Sequence, residues 1–256
     1  MIFLFFYTAT RDDVINFYQQ LDKAIWASLT APLVYSGNTR GGIPHFELGV
    51  AVFPYNLRLS PPSDSFPVDV SASIPVVSVR FDMGLWGGRG FTPGVGGYGS
   101  IDLFFGACVP VIQKVSLPGH FIRSRMPGFF GGVRIGFLRD SPICPGISIS
   151  YQYARHRLEF DFDFGTGTHT GTYTAVTHSV YIALTKKFVF LAPYLSGGFD
   201  LLSSSGYYDG GTPRRFTAAG RGVIGVRIHA GFFKIHIEGG TAGRNRFVSV
   251  SGRLAI

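Results

Sequence analysis

One pattern restricts this chain more than any other feature. Over most of its length, apolar residues alternate with small or polar ones in segments of about ten residues. The last segment, RFVSVSGRLAI, puts Val248, Val250, Gly252, Leu254 and Ile256 on one face and Phe247, Ser249, Ser251, Arg253 and Ala255 on the other. PHFELGVAV sets Phe46, Leu48, Val50 and Val52 against His45, Glu47, Gly49 and Ala51. VVSVRFDMGLW sets Val77, Val79, Phe81, Met83 and Leu85 against Ser78, Arg80, Asp82, Gly84 and Trp86. SIDLFFGACVPV, GFFGGVRIGFL, TYTAVTHSVYIALT, FVFLAPYLSGGFDL, FTAAGRGVIGVRIH and FFKIHIEGG repeat the pattern. In GISISYQYARHRLEFDFDF the parity changes, from Ile147, Ile149, Tyr151 and Tyr153 to Leu158, Phe160, Phe162 and Phe164, which predicts a bulge near Arg155–Arg157.

Length decides what such strands do. A strand crosses a bilayer in about 9–11 residues when tilted. Ordinary strands average about 5–6. The face opposite the apolar one carries Gly, Ser and charges, the lining of a lumen rather than a solvated surface. In lipid no sheet edge is left unpaired, so the sheet must close. The prediction is an all-β, closed antiparallel transmembrane barrel of about ten strands over residues 44–256.

Loop lengths agree with this. With the C-terminus placed in the periplasm, the turns on that side are short: Ala230-Gly231, Lys186-Lys187 and 140–146, with a longer one at 87–99. The other side receives 54–70, 113–127, 165–171, 201–214 and TAGRN. Long loops outside and short turns inside mark outer-membrane barrels, and an even strand count puts both termini in the periplasm. Tyr35, Tyr55, Trp86, Phe91, Tyr98, Phe129, Phe130, Tyr194 and Phe216 fall near strand ends, where aromatic girdles lie.

Composition fits. Gly numbers 35, Phe 25 and Tyr 12, charged residues are 15%, and mean hydropathy is +0.24. Gly disfavours helix and aromatics favour strand. The net charge is +8, but its 23 Lys and Arg are scattered, which argues against nucleic acid as a partner. Cys108 and Cys144 make no disulfide framework and read as free thiols.

The N-terminal part differs. Residues 1–11, MIFLFFYTATR, read as the remnant of a secretion signal, or as a short apolar segment of the mature chain. Residues 12–43 hold a predicted helix, DDVINFYQQLDKAIWASLTAP, and a linker. Asp12 and Asp13 suit the helix start, and Val14, Phe17, Tyr18, Leu21, Ile25 and Leu29 form its apolar stripe. This helix either plugs the lumen or lies against the membrane surface.

Taken together, the chain resembles bacterial outer-membrane β-barrel proteins. The helix leading into NTRGGIPHFELGVAV, and TKKFVFLAPYLSGGFD, are similar to stretches of small barrels of uncharacterised function. A more distant resemblance is to FadL-type channels, which implies transport of a hydrophobic solute past an N-terminal plug. That family has fourteen strands.

Motifs of enzymes fail on context. Gly94-Val-Gly96-Gly97-Tyr-Gly99 matches G-x-G-x-x-G, but a strand follows it rather than a helix, so it reads as a turn. His45, His120, His156, His169, His178, His229 and His236 show no metal-ligand spacing, and no G-x-S-x-G occurs. No cofactor and no enzymatic activity are expected. The functional candidates are the inward charges Glu47, Arg80, Asp82, Asp102, Arg134, Arg221, Arg227, Lys234, His236, Glu238 and Arg253. They either select solutes in a pore or pair to stabilise a narrow lumen. The expected partners are the outer-membrane bilayer, the barrel-assembly machinery and a small solute. The expected role is a small channel or transporter, gated by the helix; the alternative is a structural or adhesin-like surface protein that uses its loops.

Overall fold

The computed structural model describes residues 19, 22, 39, 41–59, 70–90, 96–110, 114–117, 120–123, 128–142, 144–163, 168–207, 214–243 and 245–255. The predicted helix over 12–32 therefore lies outside the described residues, apart from Gln19 and Asp22.

The described strands are β1 (Phe46–Leu59), β2 (Val70–Trp86), β3 (Ser100–Pro110), β4 (Lys114–Leu117), β5 (His120–Arg123), β6 (Gly128–Leu138), β7 (Gly146–Asp163), β8 (Thr168–Thr185), β9 (Leu191–Tyr207), β10 (Arg215–Ala230), β11 (Phe233–Ala242) and β12 (Asn245–Ala255). Ten of them close a barrel in the order β1-β12-β11-β10-β9-β8-β7-β6-β3-β2, every pair antiparallel. The closing seam runs from Glu47↔Ala255 to Val52↔Val250. The remaining two, β4 and β5, pair as a hairpin within the segment expected to be loop.

Burial is inverted relative to a soluble protein. On β8, Thr177, Ser179 and Thr185 are buried while Ile182 and Leu184 are exposed, Ile182 at 59%. On β12, Ser249, Ser251 and Arg253 are buried while Val248, Val250 and Leu254 are exposed. A belt of apolar side chains this continuous is stable only against lipid.

Cross-strand register locates the edge of that belt. Outward rows run Tyr153↔His178↔Leu201 and then Arg155↔Val176↔Ser203↔Phe216. Beyond them come Arg157, Thr174 and Ser205. The apolar band thus ends along the Arg155 row. Past that row β7 continues to Asp163 and β8 starts from Thr168, each 18 residues long. The "near end" of the barrel carries the start of β1, the end of β12 and the tight turns at 186–190 and 231–232; the strands overshoot at the opposite, "far" end.

Aromatic rings and glycines fill the interior together. A Cβ on Gly132 would overlap the Phe104 ring, one on Gly106 the Phe130 ring, and one on Gly225 the Tyr194 ring. Each ring lies over a glycine of a neighbouring strand, the packing by which a strand glycine is covered.

Several expectations are corrected. β7 and β8 stay in continuous register from Gly146↔Thr185 to Asp163↔Thr168, so no bulge interrupts Arg155–Arg157. The change of hydrophobic phase there reflects a change of surroundings, because this part of β7 lies beyond the lipid band. Register shifts fall instead at Gly84/Trp86 and Gly136/Leu138. The first turns Trp86 outward, to 55% exposure, rather than into the lumen. Phe130 and Tyr194 do not join a girdle; both are buried inside. The far-end connections at 165–171 and 201–214 are shorter than expected, because β8 starts within the first and β9 ends within the second.

Candidate functional site

The functional candidates share one face of the sheet, and closure turns that face into a lumen. Glu47, Arg80, Asp82, Asp102, Arg134, Arg221, Arg227, His236, Glu238 and Arg253 are all buried. The Lys234 side chain is 15% exposed.

Seven of these residues form one ionic network across β11, β12, β1, β2, β3 and β6. Lys234 Nζ lies 2.6 Å from Glu47 Oε2, and Arg253 Nη1 lies 3.0 Å from Glu47 Oε1. The same Arg253 atom lies 3.7 Å from Asp82 Oδ2. Arg80 grips Asp82 with two bonds, Nε to Oδ2 at 2.7 Å and Nη2 to Oδ1 at 2.6 Å, and its guanidinium covers the Phe104 ring at 3.9 Å. Arg134 bridges Asp82 Oδ1 at 3.9 Å and Asp102 Oδ2 at 3.5 Å. Strand register explains the meeting: Glu47 is opposite Asp82, Arg253 opposite Lys234, and Asp102 opposite Arg134. Glu47 and Asp82 each hold more than one cation, which offsets the cost of desolvating them.

The other inward candidates make further contacts. Arg221 Nε lies 3.1 Å from Asp200 Oδ2, with its guanidinium near the Tyr181 ring at 5.7 Å. Glu238 accepts from Tyr194 at 2.7 Å and from Ser249 at 2.8 Å. Arg227 and His236 face each other in register. Phe53, Val76, Cys108, Val223 and Phe247 form an apolar cluster on the same wall.

Two residues tie the N-terminal segment into this interior. Asp22 is buried, receives the Tyr173 hydroxyl of β8, and lies 3.9 Å from Arg215 Nη1 at the start of β10. Thr39 Oγ1 lies 2.6 Å from Ser100 Oγ at the start of β3. Tyr173 and Arg215 belong to the far part of the wall, whereas Ser100 belongs to the near end. The segment's described anchor points therefore sit at opposite ends of the lumen.

Sequence reasoning missed Asp200, Tyr194 and Asp22. Asp200 and Tyr194 alternate in phase with Ala192 and Ser196, so parity alone marks them as inward. Nothing local marks Asp22. Cys108 and Cys144 are free, as expected, and Cys108 Sγ rests 3.7 Å from both ring nitrogens of His156. Among the described residues no cluster of His, Cys, Asp and Glu is arranged to hold a metal ion.

No protein-family model matches the sequence, and no curated protein matches it. Among solved structures, the chain is similar to the translocator domain of the autotransporter NalP from Neisseria meningitidis, with TM-score 0.50 and 9% identity, covering 95% of this chain and 96% of that one. It is also similar to the transport unit of the autotransporter AIDA-I from Escherichia coli, with TM-score 0.42 and 10% identity, covering 96% and 98%. A third similarity is to the Pseudomonas putida toluene transporter TodX, with TM-score 0.32 and 10% identity, covering 91% and 92%. The fold is that of the outer-membrane β-barrels. A fold shared at such low identity leaves function to be argued from the lumen.

Proposed function

We propose that this chain sits in an outer membrane, with its near end toward the periplasm, and acts as a small channel or transporter gated by its N-terminal segment. The observation that carries this reading is the seating of Asp22 and Thr39 on opposite ends of the lumen wall. In this reading the seated segment obstructs the lumen, and its release opens a route. The lining of Arg, Asp, Glu and Ser favours small polar solutes over hydrophobic ones. A ten-stranded barrel is only slightly wider than the eight-stranded ones that side chains fill, so the solute is small.

A structural or adhesin-like role is the second reading. It draws on the strand ends of β7 and β8, which project past the lipid band.

Planar-bilayer recording separates the two. The full chain is expected to conduct rarely, and a chain lacking residues 1–39 to conduct persistently. Silence from both, with barrel folding verified, sinks the channel reading and leaves the surface-protein one.

A further inference from the structure

At the outer edge of the lipid band the barrel carries a feature that the lumen does not explain. Arg155 and Arg157 stand on the outward face of β7, both exposed, at the first polar positions above Tyr151 and Tyr153. Arg214 stands on the same outward face just before β10, with its Nε on Ser203 Oγ at 3.0 Å and its guanidinium 5.4 Å from the Phe216 ring. Between these arginines the two intervening strands present only short side chains at this level. Val176 and Thr174 come from β8, and Ser203 and Ser205 from β9.

The result is a shallow shelf. Hydroxyls form its floor, guanidinium groups stand at both sides, and apolar surface lies directly beneath. Its width from β7 to β10 is three strand spacings, roughly 14 Å. Glu159 faces it, 3.7 Å from Arg157, and Asp161 and Asp163 continue the same face of β7 toward the end of the strand. Arg155 and Arg214 are both exposed.

We propose that this shelf binds the phosphate of an anionic lipid headgroup in the leaflet at the far end of the barrel. Guanidinium groups and hydroxyls are the donors that phosphate oxygens take up. The source is a lipid rather than a soluble phosphate because of what lies below: Tyr153, Leu201 and Phe216 are exposed at 40%, 48% and 75%. Acyl chains cover those side chains while the headgroup meets the arginines. Arginine-rich rims above apolar surface gain from anionic headgroups with each added charge.

The inference rests on the membrane-spanning reading but not on the channel reading. Its test uses the full chain in zwitterionic detergent, titrated with phosphatidylglycerol or phosphatidylcholine and followed by native mass spectrometry. The wild type is expected to retain phosphatidylglycerol preferentially, and to lose that preference as salt rises. The variant R155Q/R157Q/R214Q is expected to bind phosphatidylglycerol on the order of a hundredfold more weakly, from about 1 kcal/mol for each charge. The single variants R155Q and R214Q, each with a smaller loss, serve if the triple variant folds poorly. Arg139→Gln, at an exposed near-end position, controls for general charge and is expected to leave retention unchanged. Equal retention of the two lipids by the wild type overturns the proposal. So does an equal loss in R139Q, or displacement of the lipid by inorganic phosphate at the lipid's own concentration.

Discussion

Arg253, near the end of the last strand, donates to Glu47 on the first, Nη1 to Oε1 at 3.0 Å, across the seam where the barrel closes. Lys234 of β11 meets the same carboxylate at 2.6 Å. One carboxylate thus joins three consecutive strands of the ring, β11, β12 and β1, at the point where closure brings together residues 206 positions apart.

Glu47→Ala is expected to weaken the barrel more than a surface change does. It removes the carboxylate that Lys234 and Arg253 share, leaving Arg253 with Asp82 at 3.7 Å, and breaking a buried pair from one side costs about 3–5 kcal/mol. Guanidinium unfolding in detergent, read by tryptophan fluorescence, measures the loss. A loss below about 1 kcal/mol, typical of exposed pairs, means the seam pairing contributes little.

Gly225 faces the Tyr194 ring on the adjacent strand, and that ring's hydroxyl bonds Glu238. Gly225→Ala is expected to displace the ring and cost about 1–3 kcal/mol, as overpacking does. Tyr194→Ala removes the obstacle. In a double-mutant cycle the alanine at 225 therefore costs far less once the ring is gone. Additive losses mean that the two positions do not share the space.

The wall of the barrel was legible in sequence, and its contents were not. Alternation is a local property, so Val248, Val250 and Leu254 could be assigned to lipid and Ser249 and Arg253 to the lumen without knowing any partner. Strand number and closure followed from the same parity. Partners depend on register, which is non-local: nothing near Asp82 names Arg253 as its neighbour, yet they lie 3.7 Å apart. The misreading at Arg155–Arg157 has a different cause. Hydrophobic phase marks a bulge only where one solvent surrounds the whole strand, whereas β7 crosses from lipid into water at Arg155.

Ile182 and Ser205 test where that crossing lies. Both face outward, Ile182 within the apolar band and Ser205 past its edge. Ile182→Arg is expected to cost about 2–4 kcal/mol, the cost of an arginine near the bilayer midplane, and Ser205→Arg about 0–1 kcal/mol. Unfolding titrations from lipid vesicles give both numbers. Equal costs mean that the lipid band is misplaced along the strands.

The two far-end contacts of Asp22 differ in kind, and their variants are expected to differ in size. Tyr173 is buried and gives the Asp22 carboxylate a direct hydroxyl bond. A hydrogen bond to a charged group is worth about 1.5–3 kcal/mol. Arg215 reaches Asp22 only at 3.9 Å, and its side chain is 33% exposed, so solvent screens the pair to about 1 kcal/mol or less. If the seated segment closes the lumen, Tyr173→Phe raises the open fraction by roughly tenfold or more, whereas Arg215→Gln raises it by no more than about fivefold. Asp22→Asn keeps a carbonyl for the Tyr173 hydroxyl but loses the charge, and falls between the two. Single-channel recordings of the three variants at constant salt give the open fractions. An open fraction that rises more in R215Q than in Y173F means that the segment is held by charge rather than by the buried hydroxyl.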